Sequence, residues 1–423
     1  YKRQIYDLLG IGIGPFNLSV AALMSKVDKS SLFLERKSEF GWYPGMLLPN
    51  TYLQISFLKD LVTAADPTSP YSFLSYIIQK GRFYRFINAE YSFIERKEFA
   101  DYLSWVATNL SNLKFNQNIE KIELTDRAFT VHSQNQTYLA KNLVIGTGIT
   151  PNTPDFLKHL PTEKCFHSNE YMMRRQDFSG KRIVVIGGGQ SGIEILLDIV
   201  KSCPSVESVV LFTRRNSLEV LDDSPFINEF FSPDYAHYFY KLDSLQKKKI
   251  VDQQKFASDG VSRNSLIELV QLLYSHDFLN PSSHRKVKVY PNHEVTLVAK
   301  DNSALALQVR DNNSRKNTLF NADIVVCATG YKTYIPEVFS PFFDNLPKDS
   351  LGNIEIRDDF SVNYTWKHGG RLFIQNQSRN TYGIFDSQMS MTAWRSAKII
   401  NSLLGRNVYY ENDIHAALNW EMR

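Results

Sequence analysis

Two short glycine-rich stretches carry the residue types that hold a dinucleotide. The first, Gly12-Ile13-Gly14-Pro15-Phe16-Asn17, follows the apolar run Ile5 to Ile11 and leads into Leu18 to Leu23. The second, Gly187-Gly188-Gly189-Gln190-Ser191-Gly192, follows Arg182 to Ile186 and opens another helical pattern. Strand, glycine turn and helix in that order let backbone N–H groups and a helix N-terminus approach a pyrophosphate. Asn17 replaces the third glycine of the first copy. Glu35 ends the next apolar strand, Ser31 to Leu34, where a carboxylate meets a ribose hydroxyl. Arg214 and Arg215 follow the corresponding strand of the second copy, Val209 to Thr213, and arginine there suits a 2′-phosphate. The spacing therefore predicts two nucleotides, one of them NADP rather than NAD.

At 423 residues the chain is long enough for two or three domains. Hydrophobic residues at 43% and charged residues at 22% describe a globular protein. A net charge of +4, with no basic run, gives no case for nucleic acid. The three cysteines, Cys165, Cys203 and Cys327, are far apart with no C-x-x-C, so the sequence supports neither a disulfide framework nor a zinc site. With no 18-residue apolar run and no leader, the expectation is a cytoplasmic protein without a membrane span.

These turns need parallel sheets behind them. Asn142-Leu143-Val144-Ile145-Gly146-Thr147-Gly148 and Asp323 to Tyr331, containing Ala328-Thr329-Gly330, both read as buried strands ending in small residues. They resemble the A-T-G crossovers of two-dinucleotide flavoproteins, so the second unit is read as inserted into the first. The predicted fold is α/β with two Rossmann-like domains: residues 1–165 and 320–423 for FAD, 166–220 and 281–319 for NADPH. Residues 221–280 form a helical substrate or lid region, with a helical pattern from Asp234 to Tyr274. Asn118 to Glu123 and Phe129 to His132 read as a small antiparallel insert, and Leu53 to Leu61 as a strand or helix start. Lys59, inside that apolar stretch, is predicted to be buried.

A flavin reduced by NADPH can pass electrons to a disulfide, a quinone, an external carrier or O₂. The scattered cysteines argue against the first. From its first strand to its last helix, the chain resembles the lysine/ornithine N-monooxygenases of siderophore biosynthesis. The resemblance rests on Gly12 to Leu18, Trp42 to Leu47, Gln54 to Leu61, Gly187 to Gly192, Asp222 to Phe226, Ala328 to Tyr331 and Gly383 to Ser390. Ser258-Asp259-Gly260 and Met391 to Ser396 are most similar to the lysine, diamine and histamine branch. Tyr43, Tyr382 and Leu53 depart from residues common in the family. His167, Ser168 and Tyr171 match part of a Baeyer–Villiger signature, but Pro161 and Glu163 stand where its Phe and Gly belong.

The resemblance implies N-hydroxylation of a primary amine through a flavin C4a-hydroperoxide, with FAD and NADPH as cofactors. It also implies O₂ as co-substrate and a homo-oligomer, dimer or tetramer. By position, Gln54 lies near the flavin and substrate, Lys59 contacts the substrate's distal end, and Asp259 falls in a substrate-touching segment. Gln190, Ser191 and Arg215 contact NADP, while Trp42, Thr329, Gly330 and Ser390 line the flavin. No acid or base is assigned. Arg395 is open between a FAD phosphate and a surface carboxylate. L-lysine, cadaverine, putrescine and histamine remain open as substrates. An NADPH oxidase or redox sensor without amine oxygenation is the alternative.

Overall fold

The computed structural model describes residues 4–134, 136–280, 286–301, 304–411 and 416–422. The apolar run Ile5–Ile11 forms the centre of a seven-stranded sheet. On one side lie Ser31–Leu34 and Leu113–Lys114, and on the other Thr137–Ile145. The long strand Thr137–Ile145 shares its far edge between two partners. Its first half pairs antiparallel with Phe129–Ser133 and its second half parallel with Leu372–Ile374. The hairpin predicted from Asn118 to His132 does form, as Ile119–Leu124 against Phe129–Ser133, but it extends this sheet rather than standing apart.

The helix Pro15–Met24 is apolar on all sides because it is buried on all sides. It packs against the C-terminal helix Thr392–Leu404, and its small Ser19 lets Oγ lie 2.5 Å from the Leu61 carbonyl and 2.7 Å from Ser396 Oγ.

The second sheet is wholly parallel, in the order Lys286–Tyr290, Ser208–Phe212, Arg182–Ile186, Ile324–Cys327, Cys165–His167. A three-stranded antiparallel sheet, His293–Asp301, Ala304–Asp311 and Asn317–Ala322, packs its apolar face against it. The crossovers Ile149–Pro151 and Tyr331–Thr333 pair with each other as a two-stranded antiparallel ribbon. Insertion of the second unit into the first is thus visible in the topology. Ile324–Cys327 pairs with Arg182–Ile186 and Cys165–His167, so the boundary expected at 320 moves beyond Cys327. Cys165 likewise opens a strand of the second sheet rather than closing the first domain. The boundary expected between 280 and 281 falls where the described residues end.

The helical region is not one continuous helix. Ser232, Asp243 and Ser262 each accept backbone N–H groups as caps, dividing it into Pro233–Lys241, Ser244–Gln253, Phe256–Asp259 and Arg263–Tyr274. It does not build its own core either. Ala236 joins the apolar core of the first domain, whereas Val261 and Leu269 join that of the second. Met46 and Leu48, from the aromatic loop of the first domain, are also buried in the second core. Burying two such side chains stabilises the junction by about 3–6 kcal/mol.

Candidate nucleotide and substrate cleft

At the first turn, Gly12 has φ +86°, and a Cβ there would lie 2.6 Å from the Gly146 carbonyl oxygen. Gly14 precedes the helix Pro15–Met24 with extended backbone and no side-chain cap. The helix therefore presents uncapped N–H groups to its surroundings. Glu35 accepts from the Ile13 N–H at 2.9 Å, which places its carboxylate at the turn. These features fit a pyrophosphate and a ribose hydroxyl.

The Asn17 side chain is engaged within the protein. Fully buried, it donates through Nδ2 to the Ile11 and Gly12 carbonyls at 3.2 and 2.8 Å, and accepts from Gln375 Nε2 at 2.6 Å. Its side chain thus braces the turn, which leaves the backbone N–H as its group for a cofactor.

The second turn repeats the geometry. Gly187 has φ +122° and a Cβ there would meet the Ala328 carbonyl oxygen at 2.1 Å. Gly189 precedes the helix Gln190–Ser202, again without a side-chain cap, and Ser191 lies half-buried in the first turn. Gly192 is a packing residue, since its Cβ would fall 2.0 Å from the Gly187 carbonyl oxygen. Gln190 bonds within the protein: Nε2 donates to Glu194 at 2.7 Å and Oε1 accepts from the Ser262 N–H at 2.7 Å.

Arg214 is exposed, 3.8 Å from Glu294. Arg215 donates through both terminal nitrogens to the Asp259 carbonyl at 3.3 Å and lies 5.4 Å over the Phe256 ring. The Asp259 carboxylate sits 3.7 Å from Arg379, so Asp259 joins two arginines rather than standing free for a cationic substrate.

The stretch carrying Gln54 and Lys59 forms turns rather than a strand or helix. Ser56 closes the turn at Lys59, its carbonyl accepting from the Lys59 N–H at 3.0 Å and its Oγ from the Leu58 N–H at 3.3 Å. Asp60 holds the chain that follows, accepting from the N–H groups of Val62, Thr63 and Phe73 at 2.9, 2.7 and 2.6 Å. Burial pushes the Asp60 carboxyl up, against those bonds. Gln54 and Lys59 are both exposed, which corrects the predicted burial of Lys59. The surrounding protein still strips enough water from the Lys59 ammonium to push its pKa down, and the Glu229 carboxylate opposes that shift.

Trp42 is half-buried, edge-on to Phe99 and Tyr43 with ring centres 5.8 and 5.7 Å away. Tyr43 meets Tyr331, which meets His167, so an aromatic chain reaches from the loop to the crossover. Thr329 donates to the Asn152 carbonyl at 2.7 Å, and the Gly330 carbonyl accepts from His167 at 3.0 Å. Both residues lock the crossovers together. Tyr382 is core, stacked on Phe360 at 4.3 Å.

Ser390 Oγ is buried without a partner, as are Gln375 Oε1, Ser378 Oγ, Thr392 Oγ1 and Trp394 Nε1. So many orphaned polar atoms between residues 375 and 394 fit the polar ring of a bound flavin. Arg395 is fully buried and does not meet a surface carboxylate. Its partner is the buried Asp386, 3.3 Å away, with the guanidinium between the rings of Phe16 and Phe360.

Sequence spacing missed one further contact. Cys165 and Cys327 lie on adjacent parallel strands, and the Cys327 thiol is pushed far up by the Cys165 thiol and by burial. Both are free thiols. Held protonated, the Cys327 thiol is a poor nucleophile.

Two uncapped dinucleotide turns on two sheets, one unit inserted into the other, define a two-dinucleotide flavoprotein. The model of the L-lysine 6-monooxygenase/L-ornithine 5-monooxygenase family matches residues 4–333. The L-lysine N6-monooxygenase of Escherichia coli is 35% identical over 99% of both chains. The FAD-bound cadaverine monooxygenase of desferrioxamine biosynthesis from Erwinia amylovora superposes with a TM-score of 0.92 at 28% identity, covering 100% of this chain and 99% of that one. The ornithine N-hydroxylase of Kutzneria sp. 744, with reduced FAD, NADP⁺ and L-ornithine, gives 0.89 at 26% identity, covering 95% and 99%. The chain belongs to this family of FAD- and NADPH-dependent amine N-hydroxylases.

Proposed function

We propose that this chain N-hydroxylates L-lysine, using FAD, NADPH and O₂, in siderophore biosynthesis. The observation that carries the substrate choice is the pairing of charges in the cleft. The Lys59 ammonium offers a partner for a carboxylate, whereas the Asp259 carboxylate is already engaged by Arg379. That arrangement favours an amino acid over cadaverine, putrescine or histamine.

Bound FAD would supply oxygen activation after reduction by NADPH. The protein's part is to hold and exclude. The Gly12 turn and Glu35 hold the flavin nucleotide, and the Gly187 turn with Ser191, Arg214 and Arg215 holds NADP. Gln54, Trp42 and Ser390 would contact the flavin. A substrate amine must be neutral to act as a nucleophile, and its free ammonium has a pKa of about 10.4. Desolvation of the kind that depresses Lys59 favours the neutral form.

A homo-oligomer, dimer or tetramer, acting in the cytoplasm completes the reading. Among the described residues no helix is long and apolar enough to cross a membrane. The test measures NADPH consumption beside hydroxylamine yield with L-lysine, cadaverine, putrescine, histamine and ornithine. Hydroxylamine in step with NADPH for L-lysine is the expected result. Peroxide alone with every amine would favour the oxidase alternative.

A further inference from the structure

A chain of hydrogen bonds runs through all three parts of the molecule and converges on Gln190. Arg96 opens the helix Arg96–Asn109 of the first domain, and Glu194 lies one turn into the helix Gln190–Ser202 of the second. They form a two-pronged ion pair, Nη1 to Oε2 at 2.8 Å and Nη2 to Oε1 at 2.6 Å. Their side chains are only 17% and 5% exposed. Glu194 Oε1 also accepts from Gln190 Nε2, and Gln190 Oε1 accepts from the N–H of Ser262, the residue that caps Arg263–Tyr274. Gln190 Nε2 also lies 3.2 Å from Ser265 Oγ. At the other end, the Arg96 N–H donates to the Thr51 carbonyl at 2.8 Å and the Leu53 N–H to the Ile94 carbonyl at 2.9 Å. The network is therefore anchored on the segment that continues into Gln54 and Lys59.

We propose that Arg96 and Glu194 are positioning residues that fix Gln190, and with it the second dinucleotide turn, relative to the substrate segment and the helical region. This rests on the NADPH-dependent reading above. A two-pronged guanidinium–carboxylate pair in a partly dry interface selects one relative orientation of its two supports. An ion pair serving only to join domains has no need of Gln190. The shared Glu194 Oε1 makes the pair act through that residue.

The test replaces the pair by apolar side chains, Arg96→Met with Glu194→Leu, so that no buried charge is stranded. The expected result is a KM for NADPH raised about tenfold, with kcat falling by less than half and a larger share of NADPH lost as peroxide. A role confined to folding would lower the melting temperature without moving KM or the peroxide share. The charge-swapped variant, Arg96→Glu with Glu194→Arg, restores the tie between domains but removes the Glu194 acceptor from Gln190 Nε2. Its melting temperature should recover while KM stays high. An unchanged KM in the apolar variant overturns the proposal, and so does a recovered KM in the swapped one. Glu194→Gln provides the same reading should the apolar variant not fold: a raised KM supports the proposal and an unchanged one overturns it. NADPH-dependent peroxide formation without amine supplies KM as well, so the result is independent of whether L-lysine is the substrate.

Discussion

Lys59→Met removes an ammonium from the cleft while keeping most of the apolar stem. A charge-assisted hydrogen bond to a substrate carboxylate contributes about 1.5–3 kcal/mol. Lys59 is exposed, so solvent screening places the loss near the lower end, about tenfold in binding. L-lysine has the carboxylate and cadaverine lacks it, so the ratio of their kcat/KM values should fall about tenfold, driven by the KM for L-lysine. Steady-state hydroxylamine formation with both amines measures it. The pH profile gives a second reading. Desolvation lowers the Lys59 pKa below its ordinary 10.5, so as pH rises the ammonium is lost earlier than from a free lysine. The KM for L-lysine should climb through that depressed pKa, and this limb should vanish in Lys59→Met. An equal rise in KM for both amines, or a limb that persists in the variant, would refute the assignment of Lys59 to the carboxylate.

Three further outcomes are expected. Arg215→Ser should lower the preference for NADPH over NADH by about 10- to 100-fold, since a guanidinium–phosphate contact is lost; kcat/KM with each nucleotide checks it. Gly12→Ala should cost about 1–3 kcal/mol and weaken FAD retention, because its Cβ would meet the Gly146 carbonyl oxygen at a positive φ; flavin content after gel filtration and a melting curve report both. Arg395→Met should destabilise by about 3–5 kcal/mol by leaving Asp386 buried without its cation, and Arg395→Met with Asp386→Leu should recover much of that, read by denaturant unfolding.

Both glycine turns were legible because their constraints are local: a positive φ, a close carbonyl and a helix start lie within a few residues. The helical character of residues 234–274 was legible, but its breaks were not, because they depend on Ser232, Asp243 and Ser262 turning their side chains back as caps, which periodicity does not record. Asn17 sits at a ligand position of the motif, yet its partner Gln375 is brought in by a distant strand. Sequence distance hid the contact between Cys165 and Cys327 in the same way, and it misplaced the boundary near 320, since only parallel pairing assigns Ile324–Cys327 to the second sheet. Lys59 looked buried from its apolar neighbours, but it sits in a turn closed by Ser56 and is exposed.

The insertion of one nucleotide unit into the other also sets an order of events on the ribosome. The strand Thr137–Ile145 is made early, but its partner Leu372–Ile374 emerges over two hundred residues later. At typical synthesis rates that delay is on the order of 10–45 s. The second sheet, contiguous between Cys165 and Cys327, can close in that interval. Meanwhile Leu143 to Ile145 presents an unpaired apolar edge, a template for pairing with other nascent chains. The domain begun first is finished last, and chaperone demand during expression should concentrate on that waiting edge.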